Sequence, residues 1–172
     1  MKRIKQMIIM FLILAVSCSP VFGAQDALEG VKIRSGNPQI LRTTELTSHV
    51  LLQPRSETVS MASISITNEG RGVIGVLATT LCHVKVDRII TRVILDRYNE
   101  KTGSWGSIEI YDFDYSAEDY PDELFTDAIV SFDITDKPSG YYYRVRGMHA
   151  VWKNGESQAY NTLTDGIMIT DY

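Results

Sequence analysis

The chain has 172 residues, with 17 Lys plus Arg against 21 Asp plus Glu, a formal charge of −4. Hydrophobic residues make up 44% and charged residues 22%, the balance of an ordinary globular domain, which excludes collagen-like, low-complexity and disordered chains. Two cysteines are too few for a disulfide scaffold, and the length allows one domain and little more.

Lys2, Arg3 and Lys5 form a basic region ahead of an uncharged apolar run, Met7 to Val16. That run is too short to span a bilayer and has the length of a secretory h-region. Ser17 to Ala24 follows, with Pro20 as a helix breaker. Cleavage after Gly23 leaves two small residues, Val21 and Gly23, in the peptidase pockets, whereas cleavage after Ala24 would place bulky Phe22 there. Cys18 offers a second route, as the lipidated cysteine of a lipoprotein, although Ala15-Val16-Ser17 lacks the Leu such signals favour. The expectation is a signal peptide over 1–23 and a mature chain that is secreted or held at the cell surface, without a transmembrane segment.

Removing residues 1–23 takes away three positive charges and leaves 149 residues, with 14 Lys plus Arg against 21 Asp plus Glu, a net −7. A chain of this size buries roughly 68–70% of its unfolded surface and folds without staples. Cys82 is then the sole cysteine, so no intramolecular disulfide can form. The acidic balance argues against nucleic acid as a partner, because that affinity comes largely from cations on phosphate.

Residues 24–56 are polar and aperiodic, broken by Gly30, Gly36, Pro38 and Pro54, and read as an N-terminal arm. Within it, Val31–Ile33 and His49–Leu52 are each long enough for a brief strand. From Glu57 the pattern turns to period two, opening a domain over 57–172. A first strand carries Val59, Met61 and Ser63 on one side and runs to Ile66. A second follows from Val73 to Val86, with Ile74, Val76, Ala78, Thr80, Cys82 and Val84 on one face. The third covers Arg88–Tyr98, the fourth Trp105–Phe113 and the fifth Ala128–Ile134. A sixth, Tyr141–Trp152, sends Tyr141, Tyr143, Val145 and Gly147 one way and Tyr142, Arg144 and Arg146 the other. Asn154-Gly155 then suits a two-residue type I′ turn into a last strand from Ser157. About seven strands with turns every 10–15 residues predict an all-β chain folded as an antiparallel β-sandwich.

Gly140–Gly155 (GYYYRVRGMHAVWKNG) resembles strand F and the FG hairpin of immunoglobulin-like and fibronectin type III-like sandwiches, in which a Tyr opens strand F. The chain is also similar to uncharacterised small secreted proteins of Gram-positive bacteria. The residues that carry this likeness are Arg97-Tyr98-Asn99, Gly103-Ser104-Trp105, Tyr141–Val145, His149 and Asn154–Ser157. The resemblance implies an immunoglobulin-like fold and an extracellular location, and it brings no site residues.

Catalytic fingerprints of hydrolases, metalloproteases, phosphate loops and dinucleotide sites are missing from the sequence. Cys82 and His83 point to opposite faces of one strand and cannot work as a pair. Asp112–Asp127 concentrates carboxylates, and Asp112, Asp114, Glu118 and Asp119 are the candidate calcium ligands, without the Gly that an EF-hand loop places sixth. Tyr142, Arg144 and Trp152 share the outer side of the sixth strand and form the candidate binding face for an extracellular protein or polysaccharide. The expected function is a non-enzymatic binding or structural role outside the cell. The alternatives are a calcium-assisted carbohydrate- or cell-wall-binding module and a small secreted hydrolase.

Overall fold

Alternating apolar positions that fill one face of each strand leave two sheets to cover each other. The computed structural model describes residues 45–121 and 124–171, and the strand suggested at Val31–Ile33 and the whole of 1–23 lie outside them. The strands are β1 (Thr47–Leu52), β2 (Val59–Gly70), β3 (Val73–Cys82), β4 (Arg88–Asn99), β5 (Ser104–Ser116), β6 (Asp127–Ile134), β7 (Tyr142–Lys153), β8 (Glu156–Leu163) and β9 (Ile167–Met168). One sheet has the order β1-β2-β3-β6 and the other β5-β4-β7-β8, with β9 against the start of β7; every pairing is antiparallel. The chain is a β-sandwich. Among the described residues no helix is long and apolar enough to cross a membrane.

The seven expected strands are β2 to β8, and β1 and β9 join them. β1 includes His49–Leu52 from the polar stretch before Glu57 and pairs along its length with β2, from Thr47 opposite Thr67 to Leu52 opposite Ala62. The expected face of β2 needs a correction. The register slips between Val59 and Met61, and one extra residue reverses parity. Val59 therefore shares the interior with Ala62, Ile64 and Ile66, while Met61 is only partly covered. At Arg71-Gly72 the chain turns into β3 with φ of 53° and 73°. A Cβ on Gly72 would lie 2.5 Å from the Lys137 carbonyl oxygen, so glycine serves both the turn and its docking on the β6–β7 connection. Asn154 and Gly155 have φ of 52° and 81°, as a type I′ hairpin requires.

The main core lies between the sheets, where Ile64, Ile66, Ile74 and Val76 meet Val93, Leu95, Tyr143 and Val145. A smaller cluster of Val59, Val86, Ile89, Phe125 and Val151 fills one end. Polar side chains interrupt this apolar interior at His149. Its Nδ1 lies 2.8 Å from Thr80 Oγ1 on β3 and its Nε2 3.0 Å from Thr162 Oγ1 on β8. Gly147 leaves the room, since a Cβ there would sit 2.4 Å from Thr162 Oγ1 and 2.9 Å from His149 Nε2.

Burial lowers the His149 pKa from 6.5 to about 4. As pH falls from 6.5 towards 4 the unfolded chain takes up a proton that the folded chain refuses, so the stability present above 6.5 is progressively lost. The loss is expected to approach roughly 3 kcal/mol by pH 4. His149→Gln should remove this component, read as the difference between wild-type and variant urea-unfolding curves across that pH range.

Candidate functional site

The outer face of the second sheet gathers the arginines. Asp96 on β4 stands opposite Arg144 on β7, and its buried carboxylate accepts from Arg144 Nε and Arg146 Nε, both at 2.9 Å. Arg146 adds a second bond to Oδ1 at 3.0 Å, and Ser107 Oγ donates to the same oxygen at 2.9 Å. Trp105, from the start of β5, lies with its ring centroid 4.4 Å from the Arg144 guanidinium carbon. The indole packs on Gly166, where a Cβ would approach it to 2.6 Å, and on Tyr98 at 5.2 Å between centroids. Arg144 is 2% exposed as a result. Burial depresses its pKa, and the bond to Asp96 works against that shift.

Tyr142, Arg144 and Trp152 share the outer parity of β7, and the structure does not gather them into one site. Ten residues of strand separate Tyr142 from Trp152, about 33 Å at 3.3 Å per residue. Arg144 is sealed in the Asp96 cluster, while half-buried Trp152 stands at the hairpin end under Arg88, 5.6 Å from the ring centroid. The acidic segment divides in the same way. Asp112 accepts two bonds from Arg92, at 2.6 and 2.8 Å, and Asp114 accepts a similar pair from Arg88. Hydrogen bonds to these carboxylates raise the pKa of both arginines. Glu118 and Asp119 sit beyond β5 on a short 3₁₀ turn, Ala117–Asp119. Among the described residues no three His, Cys, Asp or Glu side chains are grouped so as to hold a metal ion.

Cys82 ends β3 half-buried, and burial together with the Asp127 carboxylate pushes its thiol from 9.0 up to about 11. A thiol held so far above neutrality is a poor nucleophile.

Strand periodicity did not point to a polar groove of about 550 Å³ at the hairpin end of the sandwich, because the loop after β1 contributes part of its wall. Arg55 and Glu57 come from that loop, Lys153 from β7, and Glu156, Gln158 and Tyr160 from β8. Ser56 Oγ fixes the loop by accepting from the backbone N–H groups of Thr58 and Val59 at 3.0 and 3.1 Å. It then donates to Gln158 Oε1 at 2.7 Å, where Tyr160 OH also donates at 3.1 Å. Two cations and two carboxylates balance across the groove, beside one phenol and the amides of Asn154 and Gln158.

Residues 54–167 match a family of unknown function, DUF6147, and the chain belongs to that family. No curated protein matches it.

Two outcomes follow from this geometry. Asp96→Ala removes the buried carboxylate to which Arg144 and Arg146 both donate and is expected to cost about 3–5 kcal/mol in a denaturant titration. Alkylation of Cys82 at pH 8 should run about 100-fold slower than that of an unperturbed thiol, because two pH units separate the two acidities. Asp127→Asn is expected to speed it.

Proposed function

We propose that this DUF6147 protein is a non-enzymatic, extracellular binding module of immunoglobulin or fibronectin type III kind, and that it holds a neutral polyhydroxylated ligand, such as a glycan segment, in the hairpin groove. The charge balance of the groove carries the reading. Arg55 and Lys153 offset Glu57 and Glu156, so neither an anionic nor a cationic polymer gains net attraction there. Tyr160 offers an apolar ring face with a polar tip, and Gln158 retains its amide N–H₂ as a donor for hydroxyl oxygens.

Strand order supports the module type. β2-β3-β6 against β5-β4-β7-β8 follows the order A-B-E against C′-C-F-G, with β1 added outside strand A. Tyr143, near the start of β7, donates from its hydroxyl to the Pro138 carbonyl at 3.1 Å, the bond that a tyrosine corner makes at the entry to strand F. The basic and apolar segment over 1–23 supports export. Calcium has no part in the proposed contact, since Arg92 and Arg88 occupy Asp112 and Asp114.

The test is co-sedimentation of residues 24–172 with insoluble neutral polysaccharides and bacterial wall sacculi. Binding is expected to persist in EDTA and to weaken about tenfold or more in Tyr160→Ala and Gln158→Ala, in line with the loss of a central aromatic or hydrogen-bonding contact. Binding lost in Trp152→Ala but retained in both groove variants would move the site to the outer sheet face. Absence of binding to every polymer would overturn the glycan reading.

A further inference from the structure

Among the described residues each sheet ends in strands paired on one side only, and three of these edges are guarded. β1 is six residues long. β8 lies beside β1, with the Asp165 N–H donating to Ser48 Oγ at 3.0 Å. β6 carries Asp127 and Asp133 near its two ends, and among the described residues neither is in an ion pair. Short length and unpaired charge are the usual defences of an edge.

β5 has neither defence. It is the longest strand, with 13 residues, and contains neither Pro nor Lys. Its carboxylates are each paired within the protomer, Asp112 with Arg92, Asp114 with Arg88 and Glu109 with Lys137, so none stands as an unpaired guard. Lys137 and Tyr111 hold Glu109 ionised, outweighing the opposing effect of burial and lowering its pKa. Ile108 and Ile110 are 40% and 57% exposed.

We infer that β5 is an interaction edge and that its partner is β5 of a second copy, paired antiparallel about Tyr111. The strand's own pattern selects that centre. Ile108 is a bulge residue, because Leu95 pairs with Glu109 and Asp96 with Ser107, so regular backbone begins at Glu109. Centring on Asp112 or Asp114 places a carboxylate opposite itself, and centring on Phe113 places Asp112 opposite Asp114 twice. Centring on Tyr111 uses the regular stretch 109–113. It sets Tyr111 against Tyr111, Ile110 against Asp112, and Glu109 against Phe113, with no like charges opposed.

Sedimentation velocity of residues 24–172 over a wide concentration range tests this through the sign of a charge. Ile110 is exposed, so Ile110→Glu and Ile110→Lys should both retain the far-UV spectrum of the wild type. In the dimer residue 110 faces the second copy's Asp112, whose Arg92 lies on the far side, on β4. Ile110→Glu is expected to weaken association about tenfold, because the like-charge pair occurs twice across the two-fold axis. Ile110→Lys should associate as well as the wild type or better. A wild type that is monomeric throughout, or two variants that both weaken association or both leave it unchanged, would overturn the inference.

Discussion

The hydrogen bond between His149 on β7 and Thr80 on β3 is the constraint around which the interior is arranged. It joins the two sheets where aliphatic side chains alone would let them slide, since dispersion contacts carry little directional preference. Keeping the ring neutral and satisfied requires Thr162 on the third strand of the site, and fitting that hydroxyl requires glycine at 147. In the immunoglobulin-type reading β3 and β7 are strands B and F, the pair that antibody domains link by an inter-sheet disulfide. Here Cys82 is a free thiol, and a polar bridge occupies the equivalent pair of strands. Such a bridge is worth far less than a covalent link and is sensitive to protonation, so this sandwich ties its stability to pH where a disulfide would not.

A second polar cluster does different work on the outside of the same strand. Asp96 accepts from Arg144 and Arg146, and Trp105 lies over Arg144. Replacing a buried ion pair with apolar groups is often neutral or stabilising, so net stability does not account for it. What it does is fix position. The Asp96 carboxylate on β4 holds β7 in register through two β7 arginines, and the Trp105 indole pins the start of β5 onto Gly166, past the end of β8. The charge on this face is consumed by structure, whereas Arg55, Glu57, Lys153 and Glu156 at the hairpin end line an open groove.

Much of the fold was legible because strand parity is a local property. The inward set Ile74, Val76, Ala78 and Thr80 on β3, the split of Tyr143 from Tyr142 on β7, and the Asn154-Gly155 turn each follow from neighbours within a few residues. The β2 face was misassigned because the bulge before Met61 has no sequence signature strong enough to announce a parity change. The outer face was harder still. Tyr142, Arg144 and Trp152 share parity, but parity is silent on distance along a strand and on what lies above it, and Trp105 comes from a different strand altogether. The groove was illegible for the same reason: Arg55 and Tyr160 are over a hundred positions apart in sequence, and Ser56 joins the two walls through Gln158.

The two proposed surfaces lie at opposite sides of the second sheet, since β5 and β8 are its first and last strands. Joining two copies through β5 would make one eight-stranded sheet, β8-β7-β4-β5 continuing into β5-β4-β7-β8, and would leave both hairpin grooves open. Seven inter-strand steps of about 4.8 Å put the two β8 strands roughly 34 Å apart. An antiparallel self-pairing has its two-fold axis perpendicular to the sheet, so the two hairpins point in opposite directions along the strands. A shallow groove for a neutral glycan binds weakly by itself, and linking two of them can raise avidity by about 10²–10⁴ where the geometry allows both to engage. With the hairpins pointing apart, that gain favours two polymer chains held together over one chain held twice. On the proposed reading, the arrangement suits a bridge between two glycan strands more than a clamp on a single strand.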